Sequence, residues 1–118
     1  MTQWLGLLIS LGIEVPVVLI MLLTTQQLSS RLDICSAFIL ACAATLLTHP
    51  LAWESNQMLM PYMEFPVRAT LIEGLVAIAE GILYWLILKL GWQKGLLLSI
   101  IANATSFLGG LLIDELFR

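Results

Sequence analysis

Apolar residues run through this chain in long blocks separated by three short polar stretches. A helix that crosses a bilayer needs about 20 predominantly apolar residues, and four windows qualify: residues 4–24, 34–53, 67–90 and 95–114. The first break, "TTQQLSSRLD", is polar, and "LGWQKG" reads as a tight turn between the third and fourth windows. The segment "ESNQMLMPYMEFP", residues 54–66, holds two prolines and is expected to be an interfacial loop. The expected fold is all-α: one polytopic transmembrane domain of four helices over residues 1–118.

Within the apolar blocks the polar positions keep a helical period. Ser99, Asn103, Ser106 and Gly110 fall at i, i+4, i+7 and i+11 on one face of the fourth span, as 3.6 residues per turn requires. Cys42, Thr45, Thr48/His49 and Ala52 make a similar face on the second span, and Ser10 and Glu14 lie one turn apart on the first. On the third, Glu73, Glu80 and Tyr84 share a stripe bordered by Gly74, Ala77 and Gly81. Small residues at that spacing allow close approach of another helix. Each span thus has a polar or small face to turn toward a bundle interior.

The two halves of the chain also look alike. "EVPVVLIMLL" leads through a turn to "ATLLTHPLAW", and "EGILYWLILKL" leads to "ANATSFLGGLL". The alignment pairs Glu14 with Glu80, Thr45 with Asn103 and Thr48 with Ser106. Units of two spans would be parallel repeats about an axis along the membrane normal.

Composition agrees with a lipid-embedded chain. Of 118 residues, 60% are hydrophobic and 11% charged, against about 25% charged in soluble domains, and the mean hydropathy is +1.00. A formal charge of −3 gives no basic surface for nucleic acid. The expected partners are the lipid bilayer and a second copy in a homodimer, or another membrane protein. No Lys or Arg precedes the first apolar run, which argues against a cleaved signal peptide. Arg31, Lys89 and Lys94 flank the first and third connections, while Arg68 and Arg118 fall on the other side. By the positive-inside rule this slight excess puts both termini outside, with Trp4 and Trp53 at the outer interface and Trp92 at the inner. The expected location is multi-pass in a bacterial inner (cytoplasmic) membrane.

The acids carry the candidate chemistry. A charged residue at the bilayer centre costs about 2.5–3.5 kcal/mol on insertion scales, and intramembrane acids are functional candidates by default. Glu14 and Glu80 fall near mid-depth, and two neighbouring carboxyls would share a proton and titrate as a unit. Glu73 and His49 lie nearer the outside, where they could relay protons. Pro16 removes a donor beside Glu14 and Pro50 disfavours helix at His49, so a kinked first span and a broken end at "THPLAW" are expected. Cys35 and Cys42, separated by about 10.5 Å of helical rise, are too far apart for a disulfide and are read as packing residues. Met58, Met60 and Met63 form a weak soft-ligand set suited to Cu(I), although burial in the interface explains them more simply. The chain has no HExxH, nucleophile motif or phosphate loop, no cofactor is expected, and enzyme activity is the less favoured reading.

"EGILYWLILKLGWQKGLLLSIIANATSFLGG", together with "THPLAW", resembles a group of small four-span bacterial membrane proteins of uncharacterised function. The pattern Glu80…Asn103-x-x-Ser106-x-x-Gly109 partially resembles the cyanobacterial filament-integrity membrane proteins of septal junctions. That likeness covers the second half and implies assembly or cell–cell contact. The length, four spans and first-span Glu14 are similar in architecture to small multidrug-resistance transporters, although a Lys in the first hairpin and the aromatic pattern of their third span are missing here.

Two functions follow as expectations. In the first, the protein is a proton- or cation-linked carrier or carrier subunit: Glu14, Glu80, Glu73 and His49 hold the proton or cation, and Thr45, Thr48, Tyr84, Asn103 and Ser106 orient them. In the second, it is a membrane assembly or scaffold protein whose acids make helix contacts.

Overall fold

The computed structural model describes residues 3–24, 31–89 and 91–117. These form four helices: α1 (Gln3–Thr24), α2 (Arg31–Leu59), α3 (Phe65–Ile87) and α4 (Trp92–Leu116). All four are long and apolar enough to cross a membrane, which defines an all-α, multi-pass membrane protein. Arg118 and most of the first connection lie outside the described residues.

The helices make a ring. α1 packs on α2 and α4, and α3 packs on α2 and α4, while the diagonal pairs do not meet at backbone distance. The ring leaves an axial space into which polar side chains from all four helices project.

Burial is inverted relative to a soluble protein. Leu8, Leu47, Leu75 and Leu112 are each at least 60% exposed, as suits side chains solvated by lipid tails. The interior holds small residues: Ala37, Ala41, Ala44, Ala102 and Ser99 are fully buried. Lipid is as apolar as leucine, so helices associate through close packing and interhelical hydrogen bonds rather than by removing oil from water.

The tightest approach is between α3 and α4. A Cβ built on Gly95 would stand 2.8 Å from the Gly81 carbonyl oxygen and 2.9 Å from the Trp85 nitrogen. A Cβ on Gly81 would lie 3.0 Å from the Leu96 Cα. Immediately above, the Ser99 hydroxyl donates to the Ala77 carbonyl at 2.7 Å. The expected small stripe of α3 is therefore spent on α4 at Ala77 and Gly81, whereas Gly74 faces open space.

Element boundaries differ from the sequence expectation. α2 continues through Pro50 to Leu59, so there is no broken end at His49, and residues 54–59 of the expected interfacial loop are helical. A hydropathy window ends where polar residues begin, but "ESNQML" suits a helix emerging from the bilayer. The 29 residues of α2 span about 43 Å, against a hydrocarbon core of about 30 Å. The remaining connection is a compact turn: Tyr62 and Met63 both donate backbone N–H groups to the Leu59 carbonyl. Pro66 sits in the first turn of α3, where its missing N–H removes no helical bond. Pro16 lies within α1.

Candidate functional site

Glu14 and Glu80 come together in the interior, 4% and 1% exposed respectively. α1 brings in Glu14, and the Thr45 hydroxyl of α2 donates to its Oε2 at 3.4 Å. α3 brings in Glu80, which has two partners. The Thr48 hydroxyl of α2 lies 2.8 Å from Oε1, and the Asn103 Nδ2 of α4 donates to Oε2 at 2.9 Å. Glu14 and Glu80 act on each other electrostatically, and Glu73 on both.

Donor arithmetic is informative at Glu80. The Thr48 hydroxyl is also 2.8 Å from the Ala44 carbonyl, but it has one proton to give. When Glu80 is ionised, that proton serves the carboxylate. When Glu80 is protonated, the carboxylic acid can donate to Thr48 while Thr48 donates to Ala44. The site therefore satisfies either form without moving a helix. Asn103 is held on the other side by the Ser99 carbonyl at 2.9 Å and its hydroxyl at 3.2 Å, and Ser99 in turn is fixed to Ala77.

The hydrogen bonds follow the aligned halves: Thr45 on Glu14 and Asn103 on Glu80 occupy equivalent positions. The relation is broken in one place. Thr48 contacts Glu80, but at Glu14 one carboxylate oxygen, Oε1, is buried with no partner, although Ser106, the counterpart of Thr48, lines the same cavity.

That cavity has a volume of about 30 Å³ and is bounded by Glu14, Glu73, Ser10, Thr48, Asn103 and Ser106, with His49. It adjoins a vestibule of about 310 Å³ that shares Ser10, His49, Ala52, Glu73 and Ser106. The vestibule lies at the end of the bundle holding the start of α1 and the end of α4. Its walls include Trp53, Phe65, Phe107 and Asp114. Phe65 stacks on Phe107 with centroids 6.3 Å apart, and His49 lies 6.2 Å from Trp53. His49 Nε2 is buried without a partner. At the opposite end the bundle is closed by Val15, Val18, Leu22, Ala37, Leu40, Ala41, Leu98 and Ala102.

The expected site residues thus divide. Glu14, Glu73, Glu80, Thr45, Thr48, His49, Asn103 and Ser106 gather around one interior. Tyr84 shares that region's electrostatics with Glu80 and Glu14, but it packs in the apolar cluster that closes the far end and is not part of the cavity wall. Met58 and Met60 are exposed and Met63 is half-buried; none lines either cavity. Among the described residues no group of three or more His, Cys, Asp or Glu side chains is placed to hold a metal ion. Cys35 is exposed and Cys42 half-buried, both free thiols.

In the sequence Arg68 reads only as a flanking charge. It is buried, its Nε and Nη1 donate to Asn56 Oδ1 and the Met63 carbonyl, and its guanidinium lies 5.3 Å from the Phe65 ring centroid. It ties the end of α2, the turn and α3 together beside the vestibule. The signal in the sequence is an arginine just inside the apolar window 67–90, where an unpaired charge is costly.

The fold and site define a four-helix membrane protein with a buried, acid-containing polar interior that opens toward one end. Comparison with protein-family models, curated proteins and solved structures gives no match.

Proposed function

We propose that this protein is a proton- or cation-linked carrier, or a subunit of one, in which Glu14 and Glu80 exchange the coupling ion through the vestibule. The observation that supports this reading is the shared interior position of the two acids, beside a cavity reached from one end and closed at the other. Thr48 accommodates both protonation states of Glu80, as repeated loading and release would require. Glu73 and His49 stand between the vestibule and the inner cavity, which suits a relay. A location in a bacterial cytoplasmic membrane and action as a homodimer, or with another membrane protein, belong to the same proposal, since four short helices enclose little volume.

The scaffold reading has less support. Of the small residues it would use for partner contacts, Gly74, Ala77 and Gly81, the last two are engaged inside the chain and only Gly74 faces open space.

The test is proton movement in liposomes holding a pH-sensitive dye. Reconstituted protein should move protons down an imposed gradient, and Glu14→Gln and Glu80→Gln should each abolish the movement. Equal flux in both variants would defeat the carrier reading.

A further inference from the structure

Two buried side-chain polar atoms among the described residues, Glu14 Oε1 and His49 Nε2, have no hydrogen-bond partner, and both residues line the inner cavity. A carboxylate oxygen buried without a hydrogen bond is costly. Here Glu14 lines a cavity of about 30 Å³ whose wall residues also include Ser10, Thr48, Ser106 and Glu73. A space of that size holds a particle about as large as one water molecule.

We propose that this cavity is a binding site for a single monovalent alkali cation of sodium size, with Glu14 Oε1 as its charged ligand and the Ser10, Thr48 and Ser106 hydroxyls as neutral ones. Hard cations take oxygen ligands, and this wall supplies hydroxyl and carboxylate oxygens from α1, α2, α3 and α4. Transition metals are poorly matched, because among the described residues no three His, Cys, Asp or Glu side chains are placed to hold one. One ionised Glu14 and one monovalent ion form a neutral unit, the arrangement in which a buried charge is compensated. The ion reaches the site through the vestibule, which shares Ser10, His49 and Glu73 with the cavity; none of the residues given for its walls is Lys or Arg.

This inference rests on the carrier reading for the use of the ion, but not for its binding. The full chain in lipid nanodiscs is titrated with radioactive sodium at constant ionic strength, with choline chloride as the balancing salt, and its thermal midpoint is followed in parallel. Saturable sodium binding and a midpoint that rises with sodium but not with choline are expected. Glu14→Gln should abolish both effects, and Ser106→Ala, which keeps every carboxylate, should weaken binding about tenfold, or 1.4 kcal/mol. No saturable binding, equal or tighter binding of potassium or magnesium, or binding unchanged in both variants would overturn the proposal. Sodium binding without ion flux in liposomes would refute the carrier reading alone. Proton flux that depends on Glu14 and Glu80 in a protein that does not bind sodium would refute this site alone.

Discussion

Thr48 and Glu80 face each other across the α2–α3 interface at 2.8 Å, and the same hydroxyl reaches the Ala44 carbonyl of its own helix at an equal distance. A single side chain thus joins two helices, and its one proton can serve either the Glu80 carboxylate or the Ala44 carbonyl. Thr48→Val keeps the shape and removes that exchange. It should lower stability by about 1 kcal/mol, within the range found for interhelical bonds in membranes. It should also shift the carboxyl stretching band of Glu80 in infrared difference spectra. A band unchanged from wild type would mean that Thr48 does not sense the proton.

The α3–α4 contact makes a steric prediction. Gly95→Ala places a methyl group against the α3 backbone at Gly81 and Trp85, and relief requires the helices to separate. Overpacking of this kind costs about 1–3 kcal/mol. Gly12→Ala and Gly74→Ala meet nothing within 4 Å and should be close to neutral. Reversible unfolding in mixed micelles would rank the three, and a Gly95→Ala protein as stable as Gly74→Ala would contradict the packing.

Arg68 holds the α2–α3 turn from below. Arg68→Ala should free the Met63 carbonyl and Asn56 and accelerate amide exchange at Tyr62 and Met63 more than at Ile72. Arg68→Lys keeps the charge but not the planar two-point contact, so it should restore protection only in part. Uniform exchange in all three proteins would show that the turn is held by its own backbone bonds.

Access should be one-sided. In a background with Cys35 and Cys42 changed to Ala, a cysteine at Ser10 or Ala52 should react with a membrane-impermeant thiol reagent added at the vestibule end. A cysteine at Val18 or Ala41, inside the apolar closure, should resist reagent from either side. Equal labelling at Ala52 and Ala41 would mean that the bundle has no closed end.

The fold and much of the site were legible because polar residues on an apolar background reveal helical phase directly. Glu14, Thr45, Glu80, Asn103 and Ser106 fall on predictable faces, and the bundle has only one interior to receive them. Other features depend on relations that periodicity does not encode. Tyr84 shares the stripe of Glu80 but lies one turn further along, where the surroundings are apolar. Gly74 and Gly81 look equivalent in sequence, yet helix crossing brings only Gly81 against α4. Pro50 marked a break that α2 absorbs, and Arg68 gained its importance from Asn56 and Met63, which only the tertiary fold brings near.

The closed apolar end has an electrical consequence. A water-filled vestibule conducts, so a transmembrane voltage would drop mainly across the packed Val, Leu and Ala side chains beyond the acids. The full field is worth about 2.3 kcal/mol per elementary charge for each 100 mV. An ion arriving at Glu14 from the open side would cross little of that drop, whereas one leaving through the other half would cross most of it. For the proposed carrier, loading would then be nearly blind to voltage, and passage through the sealed half would be the step that the membrane potential drives.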